Sequence, residues 1–416
     1  MLGFILVVVK LLIILGIVAT IHEFGHFLFS KMFKVGVNEF SIGFGPKIVQ
    51  KKFGETMYSL RCIPLGGYCA IEGEEGTSDK ENSLQNRNLI QKVLILLMGA
   101  GFNAILAAII FFFISFTSQT YTTKIESISS DSILYQAGIQ SGDTINSING
   151  KKVRTLSEVL NFDVSDIKDG KIEIEYTRDN VLNKVTIENA VKKIGYLGIT
   201  FNASGDSSNV IDMVASGGKA FDAGLKAGDK IVSIASVPTD TSKEVVGEII
   251  KYPNQEIEIV ISRKGEEITK TVVPESKNSL SLGITSTIVE KTNLYYAFVN
   301  MGDKFKSIIG SYVDLFTGKV GIKDMSGIVG IGEIVSKSNG FLEFINLLGI
   351  ISLAVGVANI LPFPPLDGGK IVIVVIESIV RRKLSEKAEA IISYIGFGLL
   401  IALTIFVTYR DIIRII

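Results

Sequence analysis

Apolar residues run almost without interruption from Leu2 to about Ser30, Leu89 to Phe116, Phe341 to Leu361 and Ala390 to Thr408. Each run is long enough, at about 1.5 Å per residue, to cross roughly 30 Å of hydrocarbon as a helix. Four membrane spans follow from that pattern. Between about 120 and 290 the pattern is different: charges recur regularly and apolar residues come in short alternating stretches, as in a water-exposed insert. The connection between the first two runs alternates polar and apolar positions and is punctuated by glycine. Within it "TMYSLRCIPLGGYCAI" (56–71) predicts a strand pair bending at Pro64 to Gly67. After the insert, "LYYAFVNMGDKFKSIIGSYVDLFTGKV" has apolar residues every three or four positions and predicts an amphipathic helix lying on the membrane or the insert.

The insert repeats itself. "YQAGIQSGDTINSINGKKV" (135–153) aligns with "FDAGLKAGDKIVSIASVPT" (221–239), "KIEIEYTR" with "EIEIVISR", and "YLGIT" with "SLGIT". A fixed offset of about 85 residues means two copies of one domain. The pattern A-G-x-x-x-G-D-x-I followed by alternating strands resembles the PDZ domain, which implies two tandem α+β copies at 121–204 and 205–288. Such folds bind extended peptides by adding a strand beside a helix, often capturing a terminal carboxylate. A spacer without ligands is the alternative, and bulk alone would serve to exclude large ectodomains.

Of the 416 residues, 47% are hydrophobic, and Lys+Arg and Asp+Glu balance at 42 each. That balance argues against a nucleic-acid partner. Lysines and arginines cluster in the connection after the first span (Lys31, Lys34, Lys47, Lys51, Lys52) and in that between the third and fourth (Arg381, Arg382, Lys383, Lys387). By the positive-inside rule both face the cytoplasm, with termini and insert outside. Cys62 and Cys69 then lie where thiols stay reduced, as free side chains. The first run has no charged leader and no small-residue cleavage site, so it is expected to stay in the protein.

The chemistry gathers where the first run ends, in "ATIHEFGHFLFS" (19–30). His22 and His26, the only two histidines, are spaced i, i+4 on one helix face with Glu23 between them, the HExxH arrangement of zinc metalloproteases. In a soluble chain this could be coincidence; near hydrocarbon three ionisable groups are costly unless they bind a metal. Catalytic zinc takes three protein ligands. The third is sought in "NILPFPPLDGGK" (359–370), where three prolines break the third span and Asp367 is the only carboxylate. Counted from the outer side, His22 and Asp367 reach similar depths; a plain helix-ending turn is the alternative for Asp367. Asn103, a lone amide in the second span, is expected to hydrogen-bond between helices, and Gly99 and Gly101 to permit their close approach.

Together, HEFGH and "NILPFPPLDGG" resemble the paired HExxH and NxxPxPxLDG motifs of the site-2 protease family of intramembrane zinc metalloproteases, over nearly the whole chain. The resemblance implies a polytopic α-helical protein of the bacterial inner membrane, with about four transmembrane helices, a membrane-associated β-hairpin loop near the metal and two tandem extracytoplasmic PDZ domains. Residues 1–120 and 289–416 would form the membrane part. It further implies Zn²⁺ held by His22, His26 and Asp367, Glu23 as catalytic base, and Asn359 as a residue steadying substrate or oxyanion. Substrates would be single-span membrane proteins of the anti-sigma-factor type, and remnant signal peptides, cut after a first external cleavage. An exposed strand edge at Tyr58 to Ile63 or Tyr68 to Ile71 could pair with the unwinding substrate. A metal transporter and a catalytically silent PDZ receptor are the rival classes; neither uses Glu23 together with the LDG segment.

Overall fold

The computed structural model describes all residues except 1, 75–77, 79, 131, 161, 163, 165–166, 168–169, 202–207, 216, 281, 319–326, 339 and 416. Two compact units result, Met1–Ser118 with Asn293–Ile416, and Gln119–Thr292. In the first unit four helices, Ile5–Met32, Leu89–Thr117, Phe341–Ile360 and Lys387–Ile413, are long and apolar enough to cross a membrane, as the hydropathy pattern predicts. α1 (Leu2–Met32) and α2 (Leu89–Thr117) contain no proline. Asn88 starts α2 by accepting from the Gln91 amide while the Gln91 side chain returns the bond.

Ile14 and Val18 of α1, Ala107 and Phe111 of α2 and Leu348 and Leu353 of the third span interlock as one core. The amphipathic helix forms over Leu294–Phe316 and lays Met301, Phe305 and Ile308 on that core; the last residues expected for it, Lys319 and Val320, lie outside the described residues. α1 and α2 approach closely at Gly25, where a Cβ would strike the carbonyl of Met98. Gly99 also serves the approach, but a Cβ on Gly101 would meet only the Met98 side chain of its own helix. The third span stops at Ile360, and a second helix, Asp367–Val380, begins after the prolines. The connection between the third and fourth spans therefore contains 14 helical residues.

The strand pair expected within 56–71 does not form. β1 (Val37–Phe53) and β2 (Thr56–Ile71) are long and curl, so that Glu39–Ile42 is flanked on both sides. Cys69 and Gly67 oppose Phe40 and Ile42 on one side; Tyr58 and Leu60 oppose the same residues on the other. Lys47–Phe53 closes a hairpin on Thr56–Arg61. The two halves of β2 pair with β1 and not with each other. Met57–Leu60 is thus interior, and Gly67–Ile71 lies at an edge of the ladder.

In the second unit each repeat contributes a core, one around Ile125, Ile145, Ile148 and Ile174, the other around Ile211, Ile231, Ile234 and Ile259. Their closing segments are exchanged. Leu197, from the "YLGIT" that ends the first copy, packs in the second core, whereas Leu282, from the "SLGIT" of the second copy, packs in the first. The crossing segments 191–196 and 275–280 pair antiparallel, Glu275 opposite Tyr196. The expected division at 204/205 lies outside the described residues. The repeated Gly-Asp has a common cause in both copies. Gly142 and Gly228 take φ of +92° and +88°, which only glycine adopts readily, and the next residue, Asp143 or Asp229, turns inward to a guanidinium. Asp143 accepts from Nε of Arg178 at 2.8 Å and from the amide of Gln140; Asp229 accepts from Nε of Arg263 at 2.7 Å and from the amide of Lys226.

Candidate metal centre

One helical turn separates His22 from His26, so both imidazoles leave the same face of α1, and both are buried. His26 Nδ1 lies 2.8 Å from the carbonyl oxygen of Ile95 on α2. A carbonyl only accepts, so Nδ1 carries the proton and Nε2 keeps its lone pair. Nε2 of His26 faces Nε2 of His22 at 3.2 Å. The Asp367 carboxylate, at the first residue of the helix that follows the prolines, brings Oδ2 to 3.0 Å from Nε2 of His22 and 3.4 Å from Nε2 of His26. His22, His26 and Asp367 are therefore brought together from opposite ends of the chain.

The fit to a metal can be judged from these atoms alone. Two donors bound at about 2.0–2.2 Å in tetrahedral geometry lie about 3.3–3.5 Å apart, and the three separations here, 3.2, 3.0 and 3.4 Å, are close to such edges. Oδ2 of Asp367 is buried and receives no hydrogen bond. With its proton on Nδ1, His26 turns the lone pair of Nε2 toward the carboxylate, and a cation between them removes the repulsion. Space has also been cleared: a Cβ on Gly99 of α2 would collide with Nε2 of His26 and Cε1 of His22.

Beyond the three donors, Nδ1 of His22 lies 3.5 Å from the side-chain amide of Asn103 and 3.4 Å from that of Asn359. With Nε2 turned to the metal position, Nδ1 bears the proton, and a half-turn of either amide brings its oxygen round to accept it. Asn103 is fully buried, and the hydroxyl of Ser352 on the third span donates to its backbone carbonyl at 2.9 Å. Sequence reasoning placed Asn103 between helices but missed that its partner is the His22 ring; its isolation in an apolar run was the available signal. Glu23 is half-buried between the two histidines in sequence, and Glu74 and Asp367 are further carboxylates whose charges act on it. Glu74 is paired in turn with Lys370 at 2.7 Å, a contact no motif announced. Cys62 is exposed, Cys69 is buried and both are free.

Comparison with known proteins agrees with this geometry. Residues 10–403 match the model of peptidase family M50, the site-2 protease family. A Borreliella burgdorferi protein that carries a zinc-metalloprotease name is 32% identical, over 94% of both chains. One of Clostridium acetobutylicum, similarly named, is 27% identical over 96% of this chain and 95% of its own. The zinc metalloprotease RasP of Oceanobacillus iheyensis is 28% identical over 98% of this chain and 99% of its own. From a family match that spans nearly the whole chain, and three donors gathered from within an apolar helix and the start of the Asp367–Val380 helix, it follows that the chain belongs to peptidase family M50 and is a zinc metalloendopeptidase of the site-2 protease type.

Proposed function

We propose that this endopeptidase cuts single-span membrane proteins, of the anti-sigma-factor type and including remnant signal peptides, within or at the edge of the bilayer after a first external cleavage. The observation that carries the reading is the cluster of His22, His26 and Asp367, two of them within a helix apolar and long enough to cross a membrane, where a hydrolytic centre is useful only to a substrate that lies in the membrane too. Zn²⁺, when bound, supplies a Lewis acid that acidifies water and polarises a carbonyl. The ring protons on Nδ1 keep both imidazoles neutral donors, through Ile95 for His26 and the two asparagines for His22. Glu23 takes the proton of the attacking water and returns it to the departing amine. With its oxygen turned to His22, Asn359 keeps both amide N–H groups free for the substrate oxygen.

A helical substrate must give up its own backbone hydrogen bonds to be cut, and a strand edge offers replacements. Since Met57–Leu60 is interior, strand addition falls to Tyr68–Ile71. Ile48, Val49, Phe53, Ile63 and Leu65 of this ladder are exposed, which suits a sheet dipping into lipid. The repeats of the insert are assigned as PDZ domains that admit trimmed substrates or exclude bulky ones, outside a bacterial inner membrane, with the metal toward the cytoplasm.

The test co-expresses an externally truncated single-span substrate with wild type and with Glu23→Gln. Loss of cleavage by about 10²–10⁴-fold with zinc retained is expected; equal cleavage by both would end the reading, and His22-dependent zinc flux without cleavage would replace it with a transporter.

A further inference from the structure

We infer that the chain holds the phosphate of an anionic phospholipid in a basic cavity between the start of α2 and the end of the Asp367–Val380 helix. The cavity measures about 230 Å³. Lys92 reaches it from the first turns of α2 and Arg87 from just before that helix, while Arg381, Arg382 and Lys383 follow the end of the other helix; Glu377 is the one carboxylate among the described residues of its wall. Glu377 is itself engaged, accepting from the Leu384 amide at 2.6 Å. Among the described residues Lys383 donates only to the neutral side chain of Gln85, at 2.9 Å, and Arg87 to the backbone carbonyls of Lys34, at 2.9 Å, and Glu81, at 3.3 Å. Nε of Arg87 is buried without a partner, and among the described residues the side chains of Lys92, Arg381 and Arg382 have no hydrogen bond or ion pair. Five cations against one carboxylate around one space is costly unless an anion fills it.

The surroundings identify the anion's carrier. Ile90 on the first turn of α2 is 71% exposed, and Ile376 and Ile379 on the facing helix are 53% and 75% exposed. An apolar surface thus starts at the rim of the cavity, beside a helix long enough to span a bilayer. Free phosphate would use the cations and leave that surface wet. A phospholipid uses both, its phosphodiester among the cations and its acyl chains along the isoleucines, as expected where basic pockets lie between membrane helices. The helix that Arg381 follows begins at Asp367, so bound lipid would also steady a metal ligand.

The test takes the full chain, purified in neutral detergent and passed through mixed phosphatidylcholine–phosphatidylglycerol micelles, and counts retained lipid by native mass spectrometry. Wild type should retain phosphatidylglycerol over phosphatidylcholine. Lys92→Gln and Arg382→Gln should each weaken that retention about fivefold. Lys387→Gln, which removes an equal charge outside the cavity wall, should leave it unchanged and controls for folding. Equal retention of the two lipids would overturn the inference. So would a Lys387→Gln loss as large as that of Arg382→Gln, or glycerophosphate displacing the lipid at equal concentration, since the acyl contact would then contribute nothing.

Discussion

The insert and the membrane unit both bury aspartate oxygens, and those of Asp143 and Asp229 in the insert are satisfied in the opposite way to that of Asp367 in the membrane unit. Asp143 and Asp229 are 1% exposed at the side chain, and each meets an arginine of its own repeat, Arg178 at 2.7 Å or Arg263 at 2.7 Å. Asp411, also buried, is met by the backbone amides of Gly327 at 2.8 Å and Gly330 at 2.7 Å. Asp367 has neither: its inner oxygen faces two imidazole nitrogens and is buried without a hydrogen-bond partner. A buried carboxylate that brings its own cation is part of the fold. One without such a partner calls for a cation from outside, which the proposed function takes to be Zn²⁺.

The largest effect should come from Asp367→Asn. Removing the charge that draws the cation is expected to leave purified protein without stoichiometric zinc and without detectable cleavage, while its far-ultraviolet circular dichroism stays that of wild type. Zinc at wild-type content would break the contrast. Next in size is Asn103→Ala, which removes one of the acceptors holding the His22 ring and should lower zinc affinity about 10–100-fold, read by competition with a chelating dye.

On the other side of the contrast, Asp143→Asn should lower the melting of the insert by roughly 5 °C and leave the zinc content of the full chain unchanged. Zinc loss in this variant would mean the two classes of aspartate are not separate. Smallest is a surface case of the self-partnered kind. Burial acts to raise the carboxyl of Glu39, yet hydrogen bonds from Ser59, Arg61 and Tyr68 hold it down to about 2 against an ordinary 4.5. Its contribution is therefore complete above about pH 4.5 and is lost as pH falls toward 2. Amide exchange in β1 and β2 should quicken over that window in wild type and show no such step in Glu39→Gln.

Local periodicity made the four spans legible, because each helix closes its hydrogen bonds within itself. The histidine pair was legible for the same reason, since i, i+4 spacing fixes a shared face. Asp367 could be named because prolines mark where a helix must stop. Pairing was not legible. Alternation identified 56–71 as strand but not its partner, and Glu39–Ile42, well back along the chain, outcompeted the local bend at Pro64. The exchange of Leu197 and Leu282 was hidden by the repeat itself: "YLGIT" and "SLGIT" are so alike that either core accepts either segment. Gly99 was read as helix packing, and only three dimensions place the imidazoles where its Cβ would be.

The central claim, that two imidazole nitrogens and the Asp367 carboxylate hold the metal, is tested most directly by zinc-edge X-ray absorption on the purified full chain. The account predicts two histidine nitrogens at about 2.0–2.1 Å, further oxygen or nitrogen neighbours at about 2.0–2.2 Å and no sulfur, with one oxygen neighbour altered or the zinc lost in Asp367→Asn. A sulfur neighbour at about 2.3 Å, or a spectrum unchanged by Asp367→Asn, would contradict it.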